Sequence, residues 1–87
     1  MDAKEKALSA LIDAVLKGEK IYYITYVHIE MGYIHPRKAT KTTKAELVIG
    51  SGKDRKHLCS HEVDKDTDFR KTVSFQEAKE IIDKCLR

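Results

Sequence analysis

His57, Cys59 and His61 are the residues best suited to binding a metal ion. They alternate along the chain, so on a β-strand their side chains would share one face. Imidazole and thiolate are ligands that zinc prefers, but common structural sites pair two cysteines close in sequence with distant further ligands. The same residues could instead form a Cys/His nucleophile. The simpler interpretation places Cys59 in the core and the histidines at its margin, and we expect no bound metal or cofactor.

Three aspartates form a second candidate metal site. Asp64, Asp66 and Asp68 match the first three ligand positions of an EF-hand calcium loop, and Glu77 opens the helix that follows. The loop is two residues too long before that glutamate, and Phe69 stands where the sharp turn requires glycine. We therefore interpret residues 64–71 as a polar loop whose carboxylates favour the dipole of the next helix.

Patterns typical of catalysis are missing from this sequence. It contains no Gly-rich phosphate loop, no pair of catalytic carboxylates and no serine nucleophile motif. We therefore predict that the chain is not an enzyme and that it acts by binding.

Aromatic side chains on one predicted strand form the first candidate binding feature. Tyr22, Tyr26 and His28 share a face of a strand predicted over residues 20–30. Rings on an uncovered sheet face suit stacking on unpaired bases, worth ~1–3 kcal/mol per base. They suit contact with a protein equally well. The alternative is that they only shield the sheet, because tyrosine is a common strand residue.

The positive charge of the chain is concentrated in its middle. Residues 35–61 carry seven Lys and Arg against two acids, a surplus of +5, whereas the whole chain has a net charge of +3. Such a patch could contact phosphates, with several cations on one side of an extended segment, or it could be an edge strand whose lysines prevent aggregation. The candidate binding residues are Tyr22, Tyr26, His28, Tyr33, Arg37, Lys38, Lys41, Lys44, Arg55 and Lys56.

Two helices are predicted, one at each end of the chain. Asp2 with Glu5, and Ser74 with Glu77, have the spacing of capping boxes. Gly18 is a natural stop for the first helix. The predicted apolar stripes are Leu8, Leu11, Ile12, Val15 and Leu16 in the first helix, and Phe75, Ala78, Ile81, Ile82, Cys85 and Leu86 in the second.

The intervening segments read as an antiparallel sheet. The strand over 20–30 has large side chains on both faces and is predicted to be central, with a turn at Gly32. Residues 33–43 contain Pro36 and are either an edge strand or a long loop. Residues 45–49 are predicted as a strand, with a short helix as the alternative, and residues 55–63 as the last strand paired with them. The fold is therefore α+β, with three or four strands and both helices on one sheet face.

Composition limits the class of protein. Eighty-seven residues, 41% hydrophobic and 36% charged, indicate one small globular domain over residues 1–87. No apolar segment is long enough to span a membrane, and the N-terminus is not typical of a signal peptide. Two cysteines, Cys59 and Cys85, are predicted to be free thiols in a reducing cytoplasm, with a single bridge between them as the alternative.

The order α-β-β-β-α resembles that of double-stranded RNA-binding domains. That family places a Gly-Pro-x-His stretch between its first strands, whereas Met31-Gly-Tyr-Ile-His-Pro36 has related residues in another order. It also has a lysine cluster at the start of its last helix, where only Lys71 and Lys79 are near. The likeness is one of topology alone, and we infer no membership from it.

The combined features lead to two functional hypotheses. The first is a small regulator or inhibitor that binds a protein partner, or a second copy of itself, through an open sheet face and the basic hairpin. The second is an RNA- or DNA-binding protein that uses the tyrosines and the basic segment. No membrane partner is expected.

Overall fold

The computed structural model describes residues 2–30, 40–50 and 52–86. Its elements in chain order are α1 (Ala3–Leu16), β1 (Ile21–Glu30), β2 (Thr40–Ile49), a 3-10 turn (Gly52–Asp54), β3 (Lys56–Glu62), β4 (Arg70–Thr72) and α2 (Phe75–Cys85). The strands form an antiparallel sheet in the order β3-β2-β1-β4. The predicted α+β class is confirmed.

Both helices begin at their predicted caps. The Asp2 carboxylate accepts a hydrogen bond from the Glu5 amide at 2.8 Å, and the Ser74 hydroxyl accepts one from Glu77 at 3.2 Å. Each bond satisfies an amide that has no partner within the helix, which is worth ~1 kcal/mol. Gly18 ends α1 with a φ of 74°, which glycine adopts without a steric penalty.

The sheet corrects the strand assignment in two places. β2 is continuous over ten residues, so 45–49 is a strand as predicted and the helix alternative is wrong. Residues 40–43 belong to the same strand, so the loop alternative is wrong for them, and they lie at a sheet edge because β3 pairs with β2 only from Lys44 onward. The fourth strand is β4, which begins within the segment 64–71 that was predicted to be a polar loop. The remainder of the ambiguous stretch, residues 31–39 with the turn predicted at Gly32, lies outside the described residues.

The segment before β4 is held against the sheet by Thr25. The Phe69 amide donates to the Thr25 hydroxyl at 3.0 Å, and the Thr25 amide donates to the Phe69 carbonyl oxygen at 3.0 Å. The Phe69 ring packs on Tyr23, with centroids 4.6 Å apart. β4 therefore depends on contacts between residues far apart in sequence, which local propensity cannot reveal.

The core lies between the two helices and one face of the sheet, as predicted. Tyr23 packs at its margin. The opposite sheet face has no described helix on it. The buried cluster consists of Ala7 and Leu11 from α1, Ala78 and Ile82 from α2, and Ile21, Leu47 and Cys59 from the sheet.

α1 buries only part of the stripe predicted for it: Leu8 and Leu11 pack in the core, whereas the rest of the stripe does not. It buries Leu11 together with the small residues Ala7 and Ala14. Ile12 and Leu16 are instead 50% and 81% exposed, and Val15 is also exposed. Apolar residues occupy more than half of the circumference of this helix, so their period alone did not select the packed face.

α2 follows its prediction more closely. Ala78 and Ile82 are fully buried, and Ile81, Cys85 and Leu86 pack against the cluster. Phe75, at the first turn, is the exception because it is 38% exposed and does not belong to the cluster. Within the described part of the chain, neither helix is long and apolar enough to cross a membrane.

Candidate binding surface

The sheet face opposite the helices is the candidate site, and we call it the open face. Its side chains alternate with those of the core along each strand, and the register between strands places them side by side. The open face consists of Tyr22, Ile24, Tyr26, His28 and Glu30 on β1, Thr40, Thr42, Lys44 and Glu46 on β2, His57, Ser60 and Glu62 on β3, and Arg70 and Thr72 on β4. Val48 of β2 lies on the same side of the sheet but is buried beneath its neighbours, with 1% of it exposed.

An apolar and aromatic strip runs along β1 on the open face. Tyr22 lies between Val48 and Thr72, and Tyr26 lies opposite Lys44. The two tyrosines and Ile24 between them are half-buried by neighbouring side chains. The strip therefore presents ring faces and edges that a partner can cover without any change in the sheet.

Glu46 organises the charges at the centre of this face. Its side chain is only 13% exposed, and its carboxylate lies 3.6 Å from Arg55 Nη1 and 3.9 Å from His57 Nε2. Arg55, predicted to bind a partner, is thus already paired. With the histidines neutral, the face carries no net charge, since Lys44, Arg55 and Arg70 balance Glu30, Glu46 and Glu62.

The basic surplus of the sequence does not form one patch among the described residues. Lys41 lies opposite Ile29, on the side of the sheet that bears the helices, whereas Lys44 lies on the open face. Lys53 lies in the turn beyond the other end of β2, and Lys56 lies opposite Ile49 at that end. At 3.3 Å per residue β2 is about 30 Å long. The basic residues that follow one another in the sequence are therefore divided between the two ends of β2 and the two faces of the sheet.

β1 and β2 extend past the rest of the sheet as a two-stranded ribbon, formed by residues 27–30 and 40–42. β4 pairs with β1 only at residues 22–24, and β3 pairs with β2 only from Lys44 onward. Val27 and Ile29 on the ribbon are 59% and 53% exposed. Both faces of the ribbon are thus accessible, and its apolar side chains are not covered by either helix.

The predicted site residues separate into groups. Tyr22, Tyr26, His28 and Lys44 lie together on the open face. Tyr33, Arg37 and Lys38 lie outside the described residues. Arg70 was missed, because the sequence contains no sign of β4, whereas the alternation of Glu46 and Val48 along β2 could have placed both residues on this side of the sheet.

A β-bulge separates His57 from the other two candidate zinc ligands, so the prediction that all three share a face is wrong for His57, whereas Cys59 and His61 do share one. Cys59 pairs with Leu47, but His57 pairs with the next residue of β2, Val48. The extra residue of β3 turns His57 toward Glu46 on the open face, while Cys59 faces the core. A Cys/His nucleophile is not assembled here either, because the sulfur of Cys59 faces another thiol.

His61 forms a hydrogen bond within the helix-covered half of the molecule. The Tyr23 hydroxyl lies 2.5 Å from His61 Nε2. His61 Nδ1 lies 3.2 Å from the Glu62 carbonyl oxygen, which can only accept, so Nδ1 carries the proton and Nε2 accepts from the tyrosine. Partial burial raises the pKa of Tyr23, and the nearby Cys85 and Cys59 add to the increase.

The two cysteines are free thiols, as predicted, and they meet between β3 and α2. The hydrogen bond between them and its burial raise the pKa of Cys59. The same hydrogen bond lowers the pKa of Cys85; its partial burial opposes this change and Lys84 adds to it. Cys85 is therefore the member of the pair that ionises first.

The acidic loop makes structural contacts. Asp68 accepts a hydrogen bond from the Thr25 hydroxyl at 3.3 Å, and the Asp64 carbonyl oxygen accepts one from the Thr67 amide at 2.9 Å. Across residues 2–30, 40–50 and 52–86, no group of three or more His, Cys, Asp or Glu side chains is placed to hold a metal ion.

The charges of the open face balance among the described residues. β4 departs from the α-β-β-β-α order that suggested double-stranded RNA-binding domains. Comparison with protein-family models, with curated proteins and with solved structures finds no match to this chain.

Proposed function

We propose that this chain is a non-catalytic regulator or inhibitor that binds a protein partner through the open face and the adjoining ribbon. The observation that carries the proposal is the aromatic strip of Tyr22, Ile24 and Tyr26, which has no described helix over it. Tyrosine is enriched at the centres of protein interfaces because it combines a large apolar area with a polar tip.

The balance of charge favours a protein over a nucleic acid. Binding to nucleic acid draws its affinity from many cations placed along a phosphate backbone. On the open face Arg55 is occupied by Glu46, and Glu30 and Glu62 would lie against any bound phosphates. A protein interface tolerates this mixture, since its rim is commonly polar and of both signs.

The ribbon supplies a second part of the proposed contact. Val27 and Ile29 give it an exposed apolar side, and its backbone edges beyond β3 and β4 have no described strand beside them. Such an edge can pair with an extended segment of another protein through backbone hydrogen bonds.

The experiment measures affinity for a partner purified with the wild-type chain from its own organism. Tyr26→Ala is expected to weaken binding at least tenfold, about 1.4 kcal/mol, as expected for a ring at the centre of an interface. Lys79→Ala, at an exposed position of α2 on the other side of the molecule, is the matched control and is expected to leave the affinity unchanged. Thermal unfolding of both variants verifies that they are folded.

Two results would contradict the proposal. One is an affinity that Tyr26→Ala and Ile29→Ser both leave unchanged. The other is a shift of an RNA or DNA pool in a gel at about 50 mM salt that disappears by about 200 mM, with no protein partner retained. This second result would favour the nucleic-acid-binding alternative.

A further inference from the structure

An apolar surface separate from the open face lies along the outer side of α1. Ile12 and Leu16 are 50% and 81% exposed there. Together with Leu58 and His57 at the neighbouring edge strand β3, this side of α1 lines a groove of about 700 Å³. Two large apolar side chains exposed side by side on a helix are unfavourable in water unless something covers them.

The residues of α1 along this groove are complementary to themselves in an antiparallel arrangement. When two copies of the helix cross between Ser9 and Ala10, Leu16 on one copy lies opposite the small Ala3 on the other. Asp13 on one copy lies opposite Lys6 on the other, so the match is one of both size and charge.

Charge adds to the match in size. Lys6 and Asp13 are both exposed on the groove side of α1. Asp13 is paired within its own helix with Lys17 at 3.1 Å, but both side chains are more than 60% exposed, so this bond is weak and leaves the carboxylate able to accept a second cation. Ser9 and Ala10 at the crossing point are small and permit close approach of the helix axes.

We propose that this surface binds a second copy of the chain, forming a two-fold symmetric dimer in which α1 packs antiparallel on α1 of the partner. Symmetry makes every contact occur twice, so Leu16 enters the partner's groove at both ends and two Lys6–Asp13 pairs form. Of the open face, only His57 at the edge strand β3 borders this interface, and the aromatic strip lies outside it. The dimer therefore presents two such strips, and a partner with two sites would bind it with avidity.

The test is sedimentation of the full chain over a series of concentrations. The wild-type chain is expected to show a concentration-dependent monomer–dimer equilibrium. Leu16→Glu is expected to weaken dimerisation more than tenfold without unfolding the monomer, because Leu16 is mostly exposed. Lys79→Gln, on an exposed position of α2, is the control with the same change in net charge.

A charge exchange tests the antiparallel arrangement itself. Lys6→Asp places two acids opposite each other in each pair and is expected to weaken the dimer, whereas Lys6→Asp combined with Asp13→Lys restores the opposite charges and the affinity. A wild-type chain that is monomeric at every concentration overturns the proposal. So does a dimer that Leu16→Glu leaves intact, or one that the double exchange fails to restore.

Discussion

Tyr23 connects β1 with β3 and with the segment that precedes β4. Its ring lies 4.6 Å from Phe69 and 5.9 Å from His61 between centroids, and its hydroxyl bonds to His61. Alternation along β1 separates it from Tyr22 and places it on the helix-covered side. Two adjacent tyrosines thus have different roles, one in the support of the fold and one on the binding face.

The ionisation of Tyr23 and Cys59 predicts a loss of stability in alkaline solution. The pKa of each is raised in the folded state above its ordinary value, 10.0 for Tyr23 and 9.0 for Cys59. Their contribution to the free energy of unfolding is therefore fully present below the ordinary pKa values. It is lost as the pH rises toward the raised pKa values of the folded state, because the unfolded chain releases these protons first.

The measurement is thermal unfolding from neutral pH to about pH 11, where ordinary tyrosines ionise. Stability is expected to fall above about pH 9, and Tyr23→Phe is expected to reduce the slope while lowering stability at neutral pH through loss of the hydrogen bond to His61. A thermal stability that does not change between neutral pH and about pH 11 would show that the fold does not shift the pKa of Tyr23 or Cys59.

The cysteines are expected to differ in reactivity. Cys59 is buried and its pKa is raised, whereas Cys85 is half-buried and its pKa is lowered by the hydrogen bond with Cys59. Because the thiolate is the nucleophile, Cys85 should alkylate first at neutral pH. Mass spectrometry of peptides after brief treatment with iodoacetamide measures the order, and equal rates in the folded protein would contradict it. The same treatment in denaturant is the control, where the difference should disappear.

At the scale of elements, α1 has two apolar sides with different roles. Leu11 is fully buried, while Leu16 is 81% exposed. Leu11→Ala is therefore expected to cost about 2–5 kcal/mol of unfolding free energy. Leu16→Ala is expected to change it by less than about 0.5 kcal/mol in the monomer.

Chemical denaturation of the two alanine variants at low protein concentration compares them directly. The substitution is identical, so helix propensity cancels and burial alone distinguishes the positions. Equal losses, or a larger loss for Leu16→Ala, would mean that the originally predicted stripe is the packed one.

β2 shows at the same scale how the sheet divides the lysines. Adjacent members of the basic segment point to opposite faces because the side-chain period of a strand is two. Lys44 stands opposite Tyr26 on the open face, and Lys41 stands opposite Ile29 on the other. The spacing of three between these lysines suits one side of a helix, but on a strand it separates them.

At the scale of the whole molecule, the separation of the basic residues predicts which of their side chains contribute to binding. Lys44 borders the aromatic strip, whereas Lys53 lies in the turn beyond the far end of β2. Lys44→Glu is expected to weaken binding of the protein partner several-fold by placing an acid beside Tyr26, and Lys53→Glu is expected to leave it unchanged. Titration calorimetry with the purified partner measures both. Equal effects would mean that the basic segment acts as one patch after all.

Local signals in the sequence determined much of this fold. The caps at Asp2 and Ser74 depend on residues three apart, and the alternation over 20–30 placed Tyr22 and Tyr26 together on a face away from Ile21. Backbone hydrogen bonds and the alternation of side chains set these features within a few residues, so they can be predicted without a tertiary structure.

Only the tertiary structure decided the features that depend on distant partners. The side of α1 that packs was chosen by its fit to α2 and the sheet, β4 by Thr25 and Phe69, and the separation of His57 from Cys59 by a bulge against β2. The same holds for the residues suited to chemistry: a spacing of two suggested one site for His57, Cys59 and His61. The inserted residue and the pairing across strands directed one of them to the open face and the others into the core, because register is a property of two strands together.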